Sequence, residues 1–246
     1  LVVHGGGPTA VINASLYGVI EEAKRNPEVG KVYGAIGGTG AIFSETFIDL
    51  TSFNDEKLKL LLHTPASAIG SSRYPLYEKD YEKMVDIFKK HDIKYVLLNG
   101  GNGTMDACGH IYEVCKDQDI KVVGIPKTID NDIAMTDHSP GYGSAARFIA
   151  ASTQEVGEDV KSLPIHVCIM EAMGRNAGWI TAASALARRK QGDAPHLIYL
   201  PERNFNEDEF LEDVAALQKK QGGVVVLVSE GLHDKNGESI VPPIFK

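Results

Sequence analysis

One short string, Pro126-Lys127-Thr128-Ile129-Asp130-Asn131-Asp132, crowds a cation, a hydroxyl and two carboxylates together. Asp130 and Asp132 stand two apart, so in an extended loop their side chains share a side. One carboxylate can accept a proton from a substrate hydroxyl while the other binds or orients. A solvated turn rich in Asn and Asp would account for the carboxylates, but poorly for Lys127 and Thr128 beside them. A second string, Glu171-Ala172-Met173-Gly174-Arg175-Asn176-Ala177-Gly178-Trp179, lies where a strand-like run gives way to a helix. Arg175 there can clamp a phosphoryl group with the helix N-terminus behind it, or pair with a neighbouring carboxylate. Trp179 reads as a core residue. Ser229-Glu230-Gly231 ends another apolar run and adds a carboxylate.

Two glycine strings have a different chemistry. Gly5-Gly6-Gly7-Pro8-Thr9 and Gly100-Gly101-Asn102-Gly103-Thr104 each follow an apolar run and precede a helical pattern, the first helix starting near Asn13. Glycine lets backbone N–H groups approach a phosphate, and the helix N-terminus favours the anion. Neither string is a GxGxxG or Walker loop, and each is also compatible with a plain strand-to-helix turn. Ser71-Ser72-Arg73 reads as a phosphate clamp or an ordinary surface loop. His166, at a strand start, reads by itself as a satisfied structural histidine.

These strings need elements to hold them. Strand candidates are Leu1–His4, Val32–Ile36, Tyr95–Asn99, Lys121–Ile125, His166–Met170, His196–Leu200 and Val224–Ser229. Continuous apolar runs of this length suit strands buried on both faces. Helical spacing joins Tyr81, Met84, Val85 and Phe88; Met105, Cys108, Tyr112 and Cys115; Phe148, Ile149, Ser152 and Val156; and Phe210, Leu211, Val214 and Leu217. Asn204 to Asp208 suits a cap for the last of these. Strands alternating with helices predict an α/β fold, with mainly parallel sheets flanked by helices. Ligands then bind beyond the carboxyl ends of the strands, where the polar and glycine-rich strings fall. The polar stretch over 127–142 suggests a domain boundary.

Composition narrows the class. With 246 residues, 43% hydrophobic and 24% charged, the chain matches a globular protein of one large or two modest domains. A net charge of −8 argues against an extended nucleic-acid footprint or anchoring on anionic lipid. Three cysteines without CxxC spacing fit neither a disulfide framework nor a zinc site, and point to a reducing, cytoplasmic compartment. Cys108 and Cys115 share a helical face and are expected to be buried. No signal peptide or membrane-length apolar run is visible. The first residue is not Met and the end, Pro242-Pro243-Ile244-Phe245-Lys246, closes no element, so a piece of a longer protein is expected.

Together the strings resemble the phosphofructokinase family. The likeness runs in order through Gly5 to Thr9, Gly70 to Arg73, Gly100 to Thr104, Pro126 to Asp132, Met173 to Gly178 and Ser229 to Gly231. It implies two Rossmann-like halves, a donor-binding half over 1–130 and a sugar-phosphate half over 131–246. It also implies Mg²⁺-assisted phosphorylation of the 1-hydroxyl of fructose 6-phosphate, giving fructose 1,6-bisphosphate. By motif, Asp130 would be the base, with Lys127 and Arg175 the catalytic cations. Thr128, Asp132, His166, Met173, Gly174, Arg175 and Glu230 would join Asp130 around the sugar phosphate. Gly6, Gly7, Arg73, Gly101, Asn102, Gly103 and Thr104 would hold the donor. Phosphoryl transfer needs positioning and charge stabilisation above all, which fits such a set.

The resemblance also marks departures. Asn102 stands where the family usually has an Asp that helps place Mg²⁺, and a neutral amide is a weaker ligand for a hard cation. His166 stands where many relatives have an Arg reaching a neighbouring subunit's sugar phosphate. The family's C-terminal His and Arg that grip the 6-phosphate would lie beyond Lys246. For the donor, relatives using pyrophosphate usually have Asp at the place of Gly103 and Lys at that of Lys127; many ATP users have Gly at both. Asn102 and the opening Gly5–Thr9 string tilt the reading to pyrophosphate, with ATP the alternative and a non-catalytic sugar-phosphate sensor a third. Diacylglycerol- or NAD-kinase-like enzymes share the glycine loop but would not explain Pro126–Asp132. A homodimer or homotetramer in the cytoplasm is expected, without nucleic-acid or membrane partners.

Overall fold

Gly5 and Gly100 are neighbours across a parallel pair of strands, and most of the first half of the chain is arranged to put them there. The computed structural model describes residues 1–163 and 166–240, so Pro242 to Lys246 lie outside the described residues. The chain divides into two compact units within the Pro126–Asp132 string, the first being Leu1–Thr128 and the second starting at Ile129.

The first unit runs β1 (Val2–Gly5), α1 (Ala10–Arg25), β2 (Tyr33–Ala35), α2 (Gly40–Phe43), β3 (Phe47–Asp49), α3 (Asp55–Lys59), α4 (Glu78–Lys90), β4 (Tyr95–Gly100), α5 (Asn102–Cys115) and β5 (Lys121–Pro126). Its sheet has the order β3-β2-β1-β4-β5, parallel except for β3. β1 and β4 flank the point where the strand order reverses, the place where such sheets open a crevice at their carboxyl ends. Two apolar clusters build the core. α4 and α5 supply Met84, Phe88, Ile111 and Cys115 to one, and α1 supplies Leu16 and Ile20 to the other. Phe88 is wholly buried, a burial worth about 1.5–3 kcal/mol. Both Cys108 and Cys115 are buried thiols.

The second unit runs α6 (Tyr142–Ser162), β6 (Val167–Ala172), α7 (Trp179–Ala183), β7 (Leu197–Tyr199), α8 (Glu207–Gln221) and β8 (Val224–Ser229). Its sheet is fully parallel, in the order β6-β8-β7. Ala172 at the end of β6 pairs with Ser229 at the end of β8. Asn206 caps α8 by accepting from the N–H groups of Asp208 and Glu209. Among the described residues no helix is long and apolar enough to cross a membrane.

Several expectations need correction. The first helix begins at Ala10, earlier than Asn13. β3 has no counterpart among the strand candidates: only three residues long and antiparallel at the sheet edge, it has no apolar run to mark it. β5 and β6 are not buried on both faces, since Val123 is 50% and Ile169 55% exposed. Trp179 is not a core residue; it is 54% exposed at the start of α7, and its carbonyl accepts from the Tyr142 hydroxyl.

Candidate active site

In the first unit the register pair Gly5 and Gly100 delivers both glycine loops to the same edge of the sheet. Each loop runs into a helix N-terminus that lacks a side-chain cap, Thr9 preceding α1 and Gly101 preceding α5. The approach is so close that only glycine fits. A Cβ on Gly5 would collide with Thr104 Oγ1, and one on Gly100 with the Gly5 carbonyl oxygen. Thr104 is itself buried, its hydroxyl turned in beneath the glycines and its N–H donated to the Gly101 carbonyl at 2.9 Å. Gly103 faces open space: a Cβ placed there would have nothing within 4 Å.

Two cations belong to this edge. Lys127 is buried, donates its ammonium to the Gly7 carbonyl, and donates its backbone N–H to the Gly100 carbonyl at 2.8 Å. Arg73 arrives on a loop stitched to the first glycine turn. The Gly6 N–H donates to the Ser72 carbonyl at 3.0 Å and the Ser71 hydroxyl to the Gly6 carbonyl at 2.7 Å. Arg73 Nη2 then sits 3.9 Å from where a Gly7 Cβ would be. Two helix N-termini and two cations give this edge the chemistry to hold an anion with several charges. Thr128 is buried at the end of the unit.

In the second unit the paired ends of β6 and β8 set two loops side by side. Glu230 Oε1 accepts the backbone N–H groups of both Gly174 and Arg175, each at 2.9 Å. Gly174 has φ +138° and Arg175 φ +52°, so the turn is left-handed at a residue that normally avoids it. Gly231 permits the contact, because a Cβ there would run into the Arg175 carbonyl oxygen. The Arg175 side chain is exposed, as is Met173 beside it. Glu202, just after β7, accepts the Gly178 N–H at 2.7 Å. The sequence reading does not single it out, although a carboxylate following an apolar run is the same signal that marks Glu230.

The carboxylate pair departs from its expected geometry. Asn131 has φ +59°, so the chain turns between Asp130 and Asp132 and the alternation of an extended loop does not apply. The buried Asn131 side chain fixes that turn, donating to the Asp137 carbonyl at 3.2 Å and accepting the Ser139 N–H at 2.7 Å. Asp130 is left half-buried and Asp132 exposed. His166 precedes β6 at the amino end of the strand, whereas Met173 to Arg175 follow its carboxyl end. The strand separates them by roughly 20 Å, so within this unit His166 does not join them.

Among the described residues no group of three or more His, Cys, Asp or Glu is placed to hold a metal ion. Mg²⁺ does not require such a group: it keeps several waters and takes one or two carboxylates together with substrate phosphates rather than a dedicated cage.

Residues 1–244 match the family model described as Phosphofructokinase. The pyrophosphate–fructose 6-phosphate 1-phosphotransferase of Rhodospirillum rubrum is 44% identical over 243 residues, covering 98% of this chain and 60% of that protein. The protein of the same name from Halomonas elongata is 41% identical over 245 residues, covering 95% and 58%. The crystal structure of pyrophosphate-dependent phosphofructokinase from Marinobacter aquaeolei superposes with a TM-score of 0.85 at 40% identity, over 95% of this chain and 60% of that one. The chain thus spans about 60% of the length of these relatives.

Proposed function

The chain belongs to the phosphofructokinase family, and on that premise we propose that it carries the core of a pyrophosphate-dependent 6-phosphofructokinase. The proposed reaction is attack by the 1-hydroxyl oxygen of fructose 6-phosphate on one phosphorus of pyrophosphate. A new P–O bond forms, the bridging P–O bond breaks, and orthophosphate leaves with fructose 1,6-bisphosphate as the other product. The observation that carries this reading is the pairing of Gly5 with Gly100, which brings two uncapped helix N-termini to one edge together with Arg73 and Lys127.

In this reading Gly6, Gly7, Gly101, Asn102 and Gly103 form the backbone cradle of the donor, and Arg73 neutralises its outer oxygens. Thr104 shapes the cradle from beneath. Lys127 braces the first glycine turn and adds charge against the small, highly anionic donor. The Asp130 carboxylate takes the proton from the sugar 1-hydroxyl as the oxygen attacks. Thr128 and Asp132 bind around the reacting groups. Met173, Gly174 and Arg175 bind fructose 6-phosphate, with Glu230 holding the turn and meeting a sugar hydroxyl. His166 would serve the sugar phosphate of a neighbouring subunit in a homodimer or homotetramer. Asn102 and Asp130, with the donor's own oxygens and water, would hold Mg²⁺, which would supply countercharge to the transferring phosphoryl.

One observation favours keeping ATP as a second donor. The space around Gly103 is open, and a nucleotide needs room there that an Asp side chain would fill. A cytoplasmic enzyme acting on free metabolites is the setting this chemistry implies. The test is formation of fructose 1,6-bisphosphate by the full-length protein, read by a coupled assay with pyrophosphate and ATP in parallel. Absence of product with both donors would overturn the assignment.

A further inference from the structure

His4 is wholly buried in β1, immediately before the first glycine turn, and the chemistry above gives it no part. Its Nδ1 lies 2.7 Å from Ser67 Oγ. The Ser67 hydroxyl donates its single proton to the Gly70 carbonyl at 2.8 Å. That leaves Ser67 Oγ only its lone pairs for the imidazole, so the His4 proton sits on Nδ1. Nε2 is buried with no hydrogen-bond partner among the described residues, as suits the unprotonated nitrogen of a neutral ring. Burial lowers the His4 pKa to about 4, which keeps the ring neutral near pH 7.

The segment it holds is a compact chain reversal. Ala66 has φ +57° and Gly70 φ +75°. Buried Asn13 of α1 grips the same segment, donating to the Thr64 and Ala66 carbonyls at 2.8 and 3.0 Å and accepting the Ala68 N–H at 2.8 Å. The chain leaves this reversal as Ser71-Ser72-Arg73 and pairs with the glycine turn through the bridge between Gly5 and Ser72. Asn13 therefore fixes the start of the reversal, and His4, through Ser67, fixes its exit at Gly70.

We propose that His4 is a positioning residue for phosphoryl-donor binding: its Nδ1–H, relayed by Ser67 to the Gly70 carbonyl, sets the loop exit that lays Ser71, Ser72 and Arg73 along Gly5–Gly7. This rests on the donor reading of the glycine loops. The mechanism uses a tautomer, not a charge, so an amide that keeps a donor at the Nδ1 position should substitute for it.

The test uses the full-length protein with His4→Asn, His4→Leu, Ser67→Ala and the His4→Leu/Ser67→Ala double variant. Loss of one relay is worth about one net hydrogen bond, roughly a fivefold change. His4→Leu and Ser67→Ala should each raise the KM for pyrophosphate roughly fivefold with the fructose 6-phosphate KM unchanged. His4→Asn should stay near wild type, and the double variant should be no worse than Ser67→Ala alone. Two readouts stand apart from activity. Hydrogen exchange should show the Gly6 amide losing protection in His4→Leu and Ser67→Ala, and keeping it in His4→Asn. Nitrogen-15 spectra of labelled histidine should show His4 protonated on Nδ1. Protonation on Nε2, unchanged Gly6 protection in His4→Leu, or equal rises in both KM values would overturn the proposal. If the exchange and spectra come out as expected and no donor is used at all, the positioning stands and the donor reading fails.

Discussion

Glu230 Oε1 accepts the Arg175 N–H at 2.9 Å and the Gly174 N–H at the same distance. One carboxylate oxygen thus holds a left-handed arginine, a conformation that costs a residue with a Cβ about 1–2 kcal/mol. Hydrogen bonds to a charged acceptor contribute about 1.5–3 kcal/mol each, enough to offset it. Glu230→Ala is therefore expected to release the turn and weaken fructose 6-phosphate binding at least tenfold. Glu230→Gln keeps an acceptor oxygen and should lose less. Equal loss in both variants, measured as the sugar KM, would show that the charge acts on the ligand and not on the turn.

Arg175 should act on the sugar phosphate. Arg175→Ala is expected to remove a charged contact worth about 1.5–3 kcal/mol, a ten- to hundredfold rise in the fructose 6-phosphate KM, with the donor KM little changed. A change confined to the donor KM would mean that Arg175 belongs to the other ligand.

For Asp130 the expected loss is in turnover. Asp130→Asn keeps the size and the hydrogen-bonding shape of the side chain and removes its ability to take a proton. General-base assistance contributes about 10²–10⁴-fold, so kcat should fall by that order while both dissociation constants stay near wild type. A near-normal kcat would remove Asp130 from the proton transfer.

His4 gives stability a pH dependence with a definite sign. Its pKa falls from 6.5 to about 4 on folding because the ring is buried, so between those values the unfolded chain binds the extra proton. Stability from this group is complete above pH 6.5, falls with pH through the window, and levels off below pH 4. The slope is about 1.4 kcal/mol per pH unit, or about 3 kcal/mol in all. Denaturant unfolding across that window should show wild type losing about 3 kcal/mol more than His4→Asn as the pH falls, so that the two curves separate; parallel curves would contradict it.

The sheet strands are legible in the sequence because seven of them carry apolar runs bounded by turn residues, and β3 is not, because three residues at an edge leave no pattern. The glycine and carboxylate strings mark the carboxyl ends of β1, β4, β5, β6 and β8 through composition alone. Local conformation is what spacing does not carry. Nothing in the Asp130-Asn131-Asp132 string announces that Asn131 turns left-handed, because its clamp on Ser139 forms only in the folded loop. His4, Ser67 and Gly70 are likewise joined across some sixty residues, a distance over which spacing carries no signal. Thr104 is expected at the donor by its place in the loop, and the closeness of Gly5 and Gly100 turns its hydroxyl underneath.

The phosphoryl donor is decided by the initial rate of fructose 1,6-bisphosphate formation by the full-length protein, with pyrophosphate or ATP as sole donor, for wild type and Gly103→Asp. Position 103 has open space around it, so an Asp should fit without disturbing the fold and should close the room a nucleotide needs. Turnover with pyrophosphate is expected in both proteins, and loss of any ATP-driven turnover in Gly103→Asp. Robust turnover of the wild type with ATP and none with pyrophosphate would contradict it, showing that the open space at Gly103 outweighs the charge of Lys127.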